Sequence, residues 1–141
     1  MRRSLYGTYG ILFFIMGAIY YSIEILWDGS SHWSMFLLGG FCGVLIGSIN
    51  EFGQTWNMAL WKQVLIGEVI VLLLEFVVGC IVNLWFNLQV WDYSNLPYNI
   101  LGQTSLLYAI LFLPLIVSAI FLDDFLRYWI FGGAKPRYKL R

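Results

Sequence analysis

Four apolar runs, roughly Tyr6 to Trp27, Trp33 to Asn50, Val64 to Trp85 and Leu101 to Leu126, occupy most of the chain and constrain it more than any motif. A hydrocarbon layer of about 30 Å needs about 20 residues of helix to cross it. Inside such a layer every backbone N–H and C=O must be bonded internally, which a helix achieves and an open loop does not. The rest of the chain offers no alternative. With 11% charged residues and a mean hydropathy of +0.76, a globule of 141 residues lacks the polar surface to face water. The expectation is an all-α polytopic membrane protein, one membrane domain over residues 1–141 built as a bundle of four transmembrane helices in a lipid bilayer.

The connections orient the bundle. With the N-terminus in the cytoplasm, "DGSSHW" and "NLQVWDYSNLPYN" lie outside, and "EFGQTWNMALWKQ" and the tail "GGAKPRYKLR" lie inside. Arg2, Arg3, Lys62, Arg127, Lys135, Arg137, Lys139 and Arg141 then all fall on the cytoplasmic side, in keeping with the positive-inside rule. Trp27, Trp33, Trp85 and Trp91 flank the outer ends, and Trp56, Trp61 and Trp129 the inner ones. Tryptophan prefers such borders because its ring is apolar and its N–H needs a partner. Both termini are therefore expected in the cytoplasm and the protein in the cytoplasmic (plasma) membrane. The start "MRRSLYGTYGILFFIMGA" has the charged and apolar parts of a signal peptide, but its apolar stretch is long and no cleavage site follows, so it reads as an uncleaved first span. Phe52 to Gln63, with Trp56, Met58, Leu60 and Trp61, reads as a short interfacial helix or a plain loop.

Several functional classes find no support. No basic patch is interleaved with aromatics, so nucleic acid is not an expected partner. Cys42 and Cys80 are isolated in apolar runs and read as small core residues. His32 stands alone in an exterior turn, reads as solvated, and makes no metal site; none is expected elsewhere. There is no P-loop, H-E-x-x-H, G-x-S-x-G or phosphate-cradling glycine loop, so soluble-enzyme chemistry has no visible seat and the cofactor is unknown.

The informative residues are the polar ones inside the spans. In "GEVIVLLLEFVVGCIVN" Glu68 and Glu75 are seven apart, which on a helix of 3.6 residues per turn places them within about 20° of each other. Gly79 and Asn83 continue that stripe. The first span spaces Gly10, Gly17 and Glu24 at sevens, with Tyr20 and Tyr21 beside them. In the second, Gly39, Gly43 and Gly47 recur every four residues and precede Glu51, a surface suited to close helix packing. The fourth opens with Gln103, Thr104, Ser105 and Tyr108, has Pro114 as a candidate kink, and ends with Asp123, Asp124 and Arg127, which read as a solvated helix end.

A charged side chain in hydrocarbon costs about 2.5–3.5 kcal/mol on insertion scales, so such groups are expected to face the bundle interior or water. No lysine, arginine or histidine lies deep in a span. The carboxyls are left with a bound proton, a cation from outside, or donors such as Tyr20, Asn83, Gln103 and Tyr108. Glu75, near mid-bilayer, is either a protonatable or cation-binding group or a neutral acid bonded to a neighbouring helix. Glu68 and Glu24 lie nearer water.

The most distinctive stretch is "WDYSNLPYNILGQTSLLYAILF", where a polar turn leads directly into the fourth span. Asp92, Ser94 and Asn95 suit a turn and Pro97 fixes its exit, while Trp91, Tyr93 and Tyr98 are expected to hold the loop at the headgroups as a lid over the outer mouth. These residues resemble the ABC-transporter type IV membrane proteins, the CmpB-like permease group, which carry W-D-Y-S-x-x-P-x-N-x-x-G-x-x-x-L. Trp91, Asp92, Tyr93, Ser94, Pro97, Asn99, Gly102 and Leu106 match that pattern position by position. Glu24 and Glu75 match family glutamates late in the first span and in the span before the loop, so the resemblance covers about Gly10 to Phe112. Ile19 and Tyr20 replace the family's G-W, "WSMF" replaces N-R-G-F, and Gln103 stands where a basic residue is frequent.

The resemblance implies a permease. Joined to the buried acids, it gives the expectation of a small transport-type or ligand-binding membrane protein in which Glu75, assisted by Glu24 and Glu68, handles a proton, a cation or a polar headgroup. The alternatives are a structural or accessory membrane subunit and a membrane-embedded enzyme acting on a lipid. Four helices enclose little volume, so a homo-oligomer or a partner membrane subunit is expected, with the glycine face of the second span as the leading contact.

Overall fold

The computed structural model describes residues 5–51 and 58–140. Arg2, Arg3, Trp56, Arg141 and most of the expected interfacial segment lie outside the described residues. The elements run α1 (Leu5–Asp28), α2 (Trp33–Gly47), a 3₁₀ turn (Ser48–Glu51), α3 (Leu60–Gly79), a π-helical turn (Cys80–Trp85), β1 (Asn99–Ile100), β2 (Thr104–Ser105) and α4 (Leu106–Phe131). Four helical segments, α1, α2 with its 3₁₀ turn, α3 with its π turn, and α4, are long and apolar enough to cross a membrane. Leu60 and Trp61, drawn above into an interfacial segment, are the first residues of α3.

Each boundary has a local cause. Gly29, at φ 83°, turns the chain out of α1 and donates its N–H to Ile25 O at 2.8 Å. His32 is the N-cap of α2: its Nδ1 accepts from the Ser34 N–H at 3.2 Å and meets Ser34 Oγ at 2.8 Å. The ring expected to be merely solvated thus satisfies an orphan donor of the helix start. The fourth helix sits five residues later than its apolar run suggested. Leu101 to Ser105 belong to a tight hairpin in which Asn99 pairs with Ser105 and Ile100 with Thr104, and Ser105 Oγ then caps the Tyr108 N–H at 3.3 Å. The helix continues through Pro114 and stops at Gly132, whose φ of 70° lets the Gly133 N–H return to Arg127 O at 2.8 Å.

The most deeply buried helix is α2. Its glycines remove the side chains that would hold α1 away: a Cβ at Gly39 would stand 2.5 Å from the Tyr20 Cβ, and one at Gly43 2.5 Å from the Met16 Cβ. At Gly47 a Cβ would overlap the Asp123 carboxyl of α4. The surface expected to meet a second copy is therefore covered from within the chain. Met35, Leu38, Cys42 and Ile46 of α2 form the core with Phe112, Ile116 and Ile120 of α4.

The buried row on α3 is Gln63, Gly67, Glu75, Gly79 and, in the π turn, Asn83, with Val71 half-buried between them. These are strict fours, the row that forms an inclined ridge on a helix and fits the groove of a neighbour crossing at an angle. Leu65, Val69, Leu73, Val77 and Ile81 make the exposed row, apolar throughout. A ridge of fours explains why Glu75 turns inward while Glu68, seven residues before it, is only half-buried: at that level the ridge is occupied by Gly67, packed on Ile116 and Ile46.

Gly43→Leu should overpack the α1–α2 contact and cost at least about 1–3 kcal/mol. Gly10→Leu, where no atom lies within 4 Å of a new Cβ, should be neutral. Thermal melts of the two purified variants in one detergent check this, with the melting point falling for the first alone.

Candidate functional site

The inward ridge of α3 is where the 86–105 loop docks. Asn83 does most of the joining. Its Oδ1 accepts from the Val90 N–H at 2.7 Å and the Trp91 N–H at 3.4 Å, and its amide donates to Gln103 Oε1 at 2.8 Å. Gln103 in turn donates to Leu101 O at 3.0 Å and, through its backbone carbonyl, accepts the Trp91 indole N–H at 3.0 Å. Gly79 leaves the space: a Cβ there would stand 2.6 Å from Gln103 Oε1 and 2.9 Å from Trp91 Cζ2. The π turn, with the Phe86 N–H on Ile81 O at 3.0 Å, presents Asn83 just where the chain leaves the helix.

Within the loop, each polar residue of the W-D-Y-S stretch closes a turn. Asp92 Oδ1 accepts from the Ser94 N–H at 2.8 Å, and the Ser94 hydroxyl and then that N–H hold the exposed Asp92 carboxyl below its ordinary range. Asn99 donates to Leu96 O at 2.7 Å and accepts from the Gly102 N–H at 3.0 Å. Gly102, at φ 71°, passes its carbonyl to the Tyr93 N–H at 2.8 Å. Among the described non-glycine residues, positive φ angles occur at Asn87, Gln89, Tyr98 and Leu101, all in this loop. Such conformations cost energy at bulky residues and persist where surrounding contacts over-determine them.

The loop does not lie flat at the headgroups. Tyr98 is exposed, but Trp91 is half-buried against Gly79, and Tyr93 reaches down so that its hydroxyl donates to Glu75 Oε1 at 3.3 Å. The Tyr93 ring stacks on Tyr108 at 4.3 Å between centroids and 12° between planes. Burial and then the Glu75 carboxyl push the Tyr93 hydroxyl well above its ordinary range, so it remains a neutral donor.

Glu75 is 4% exposed, its Oε2 has no partner, and it lines an apolar cavity of about 140 Å³ among α1, α2, α3 and α4, with Tyr20 and Cys42 on the wall. Glu24 lines a second cavity of about 430 Å³ at the loop end, with Asp28, Trp91, Tyr93 and Tyr108. Tyr20, Glu24 and Tyr93 are within electrostatic reach of Glu75, and so is Glu68, but Glu68 borders neither cavity and both its oxygens lack partners. The three glutamates therefore do not share one chamber. Of the donors anticipated for them, Tyr108 acts by stacking beneath Tyr93, and Asn83 and Gln103 hold the loop. Among the described residues no group of His, Cys, Asp and Glu is arranged to hold a metal ion.

A second polar centre, at the opposite end, was hidden by placing the end of the fourth span too early. Asp123 and Asp124 are 0% and 2% exposed. Arg127 Nε donates to Asp123 Oδ2 at 2.6 Å, lies 3.8 Å from Glu51 Oε1, and its guanidinium carbon sits 5.1 Å from the centre of the Tyr9 ring. Asp124 Oδ2 accepts from Asn50 Nδ2 and the Tyr138 hydroxyl, both at 2.8 Å. Burial pushes the Tyr138 hydroxyl up, and Asp124 adds to it. These are not solvated helix-end charges but a buried network joining α2, α4 and the tail. The signals for it were the Gly132-Gly133 stop and the missing side chain at Gly47.

Asn83→Ala should leave the Val90 N–H and Gln103 Oε1 unpaired and cost about 1–3 kcal/mol. Hydrogen exchange at the amides of Val90, Tyr93 and Gln103 should quicken by about ten-fold or more, while α2 keeps its protection. Arg127→Met strands Asp123 and should cost about 3–5 kcal/mol in unfolding from mixed micelles, and adding Asp123→Leu should restore most of it.

The family model described as "Putative ABC-transporter type IV" matches residues 5–131. No curated protein and no solved structure matches the chain.

Proposed function

Because the chain belongs to that ABC-transporter type IV family, we propose that it is a small transport-type integral membrane protein in which Glu75 carries a proton or a cation, or engages a polar headgroup. One observation carries the reading. Glu75 is buried among four helices, receives among the described residues a single neutral donor, from Tyr93, and keeps an oxygen unpartnered at the edge of a cavity. A carboxylate so placed has no countercharge of its own, so its neutrality comes from a bound proton or an arriving cation. The orientation that fits is cytoplasmic termini in the plasma membrane. Lys62 and Lys139 support it, because the Leu60 N–H on Lys139 O at 2.7 Å brings the tail to the start of α3 and gathers basic residues at one end. The loop end then opens outside. Completion of a path across the bilayer requires a second copy or a partner subunit, joined through a surface other than the glycine face.

The Tyr93 bond also favours a second reading, in which Glu75 only anchors the loop. Gln separates the two, because its amide oxygen still accepts the Tyr93 hydroxyl but does not exchange a proton. In proteoliposomes assayed for uptake of protons, sodium and potassium, Glu75→Gln should cut the wild-type rate by about ten-fold or more with little change in melting point. Equal rates for the two proteins would leave Glu75 as an anchor.

A further inference from the structure

The larger cavity, about 430 Å³ at the loop end, has a wall chemistry that the Glu75 reading does not use. Glu24 and Asp28 stand one turn apart on α1 and give it two carboxyls. Trp91, Tyr93 and Tyr108 line it as well. No lysine or arginine is among the described residues that line it, and the one histidine, His32, is engaged through Nδ1 with Ser34. Ser31, also on the wall, has a buried hydroxyl with no partner.

The possible occupants can be sorted by charge and size. An anion is repelled by two carboxyls. A bare metal ion asks for about six or more hard oxygens at close range, which a roomy chamber with two carboxyls on its wall does not give. A neutral apolar molecule has no use for the acids. An organic ammonium ion uses both: it is attracted to the carboxyls by charge, is weakly hydrated, and gains further from aromatic faces, by about 0.5–2 kcal/mol per contact. Small-molecule sites commonly enclose about 300–1,000 Å³, and this chamber falls within that range.

We propose that the loop-end chamber binds an organic ammonium cation, with Glu24 and Asp28 supplying the charge and Trp91, Tyr93 and Tyr108 the aromatic surface. As a choice of cargo this rests on the transport reading; as a binding site it stands without it. The probe is tetramethylammonium chloride, titrated calorimetrically into the purified full chain in maltoside micelles, with sodium chloride as the control. Wild type should bind it saturably, and sodium should not compete. The double variant Glu24→Gln, Asp28→Asn, at the half-exposed end of α1, should bind about ten-fold or more weakly with an unchanged melting point. Glu75→Gln, which keeps an acceptor for the Tyr93 hydroxyl, should still bind it saturably, which separates this site from the transport step. Absence of saturable binding to wild type, equal affinity in the double variant, or equal competition by sodium would each overturn the proposal.

Discussion

A backbone N–H buried in protein has no water to fall back on, and the structure around Glu75 depends on how that problem is solved for one loop. The Asn83 side chain takes the Val90 and Trp91 amides of the 86–105 segment and passes its own donor to Gln103. Remove that amide and the loop loses three of the hydrogen bonds that hold it beside α3. Tyr93 would then be held toward Glu75 by its own hydroxyl and its stack on Tyr108. The polar ridge of α3 is thus a rail first, and any chemistry at Glu75 is performed by a residue that the rail has already equipped with a donor.

Close helix approach is the second requirement. Without a hydrophobic driving force between helices in lipid, association rests on contact and on interhelical hydrogen bonds. Glycine at 39, 43 and 47 serves both. The first two bring the α1 side chains onto the α2 backbone, and the third admits the Asp123 carboxyl, so that a charged network sits inside the bundle rather than at its edge. The exposed row of α3, by contrast, is apolar from Leu65 to Ile81 and asks only for lipid.

Span number and the inward turn of Glu75 were legible because both follow from the cost of polar groups in oil, which acts on single residues. The W-D-Y-S pattern marked the loop for the same reason: Asp92, Asn99 and Gly102 carry their turn chemistry locally. What escaped depended on partners distant in sequence. Seven-residue spacing placed Glu68 with Glu75, but the angle at which α3 crosses its neighbours selects a ridge of fours, and a crossing angle is not written in one helix. Asp123 and Asp124 resembled ordinary terminal charges until Gly47, some seventy-five residues earlier, was seen to make room for them. Tyr93 looked like an interfacial anchor because nothing local reveals that a ring will point down rather than out.

Tyr93 links the two chambers: it lines one, and its hydroxyl serves the carboxyl of the other. Whatever occupies the first and displaces the Tyr93 ring takes away the hydrogen bond that Glu75 receives from the loop. Thermodynamic reciprocity then applies, so a guest that alters the carboxyl's hold on its proton must have its own affinity altered by the same factor when that proton comes or goes. A single phenol is therefore enough to make two compartments answer to each other, with no movement of the helices.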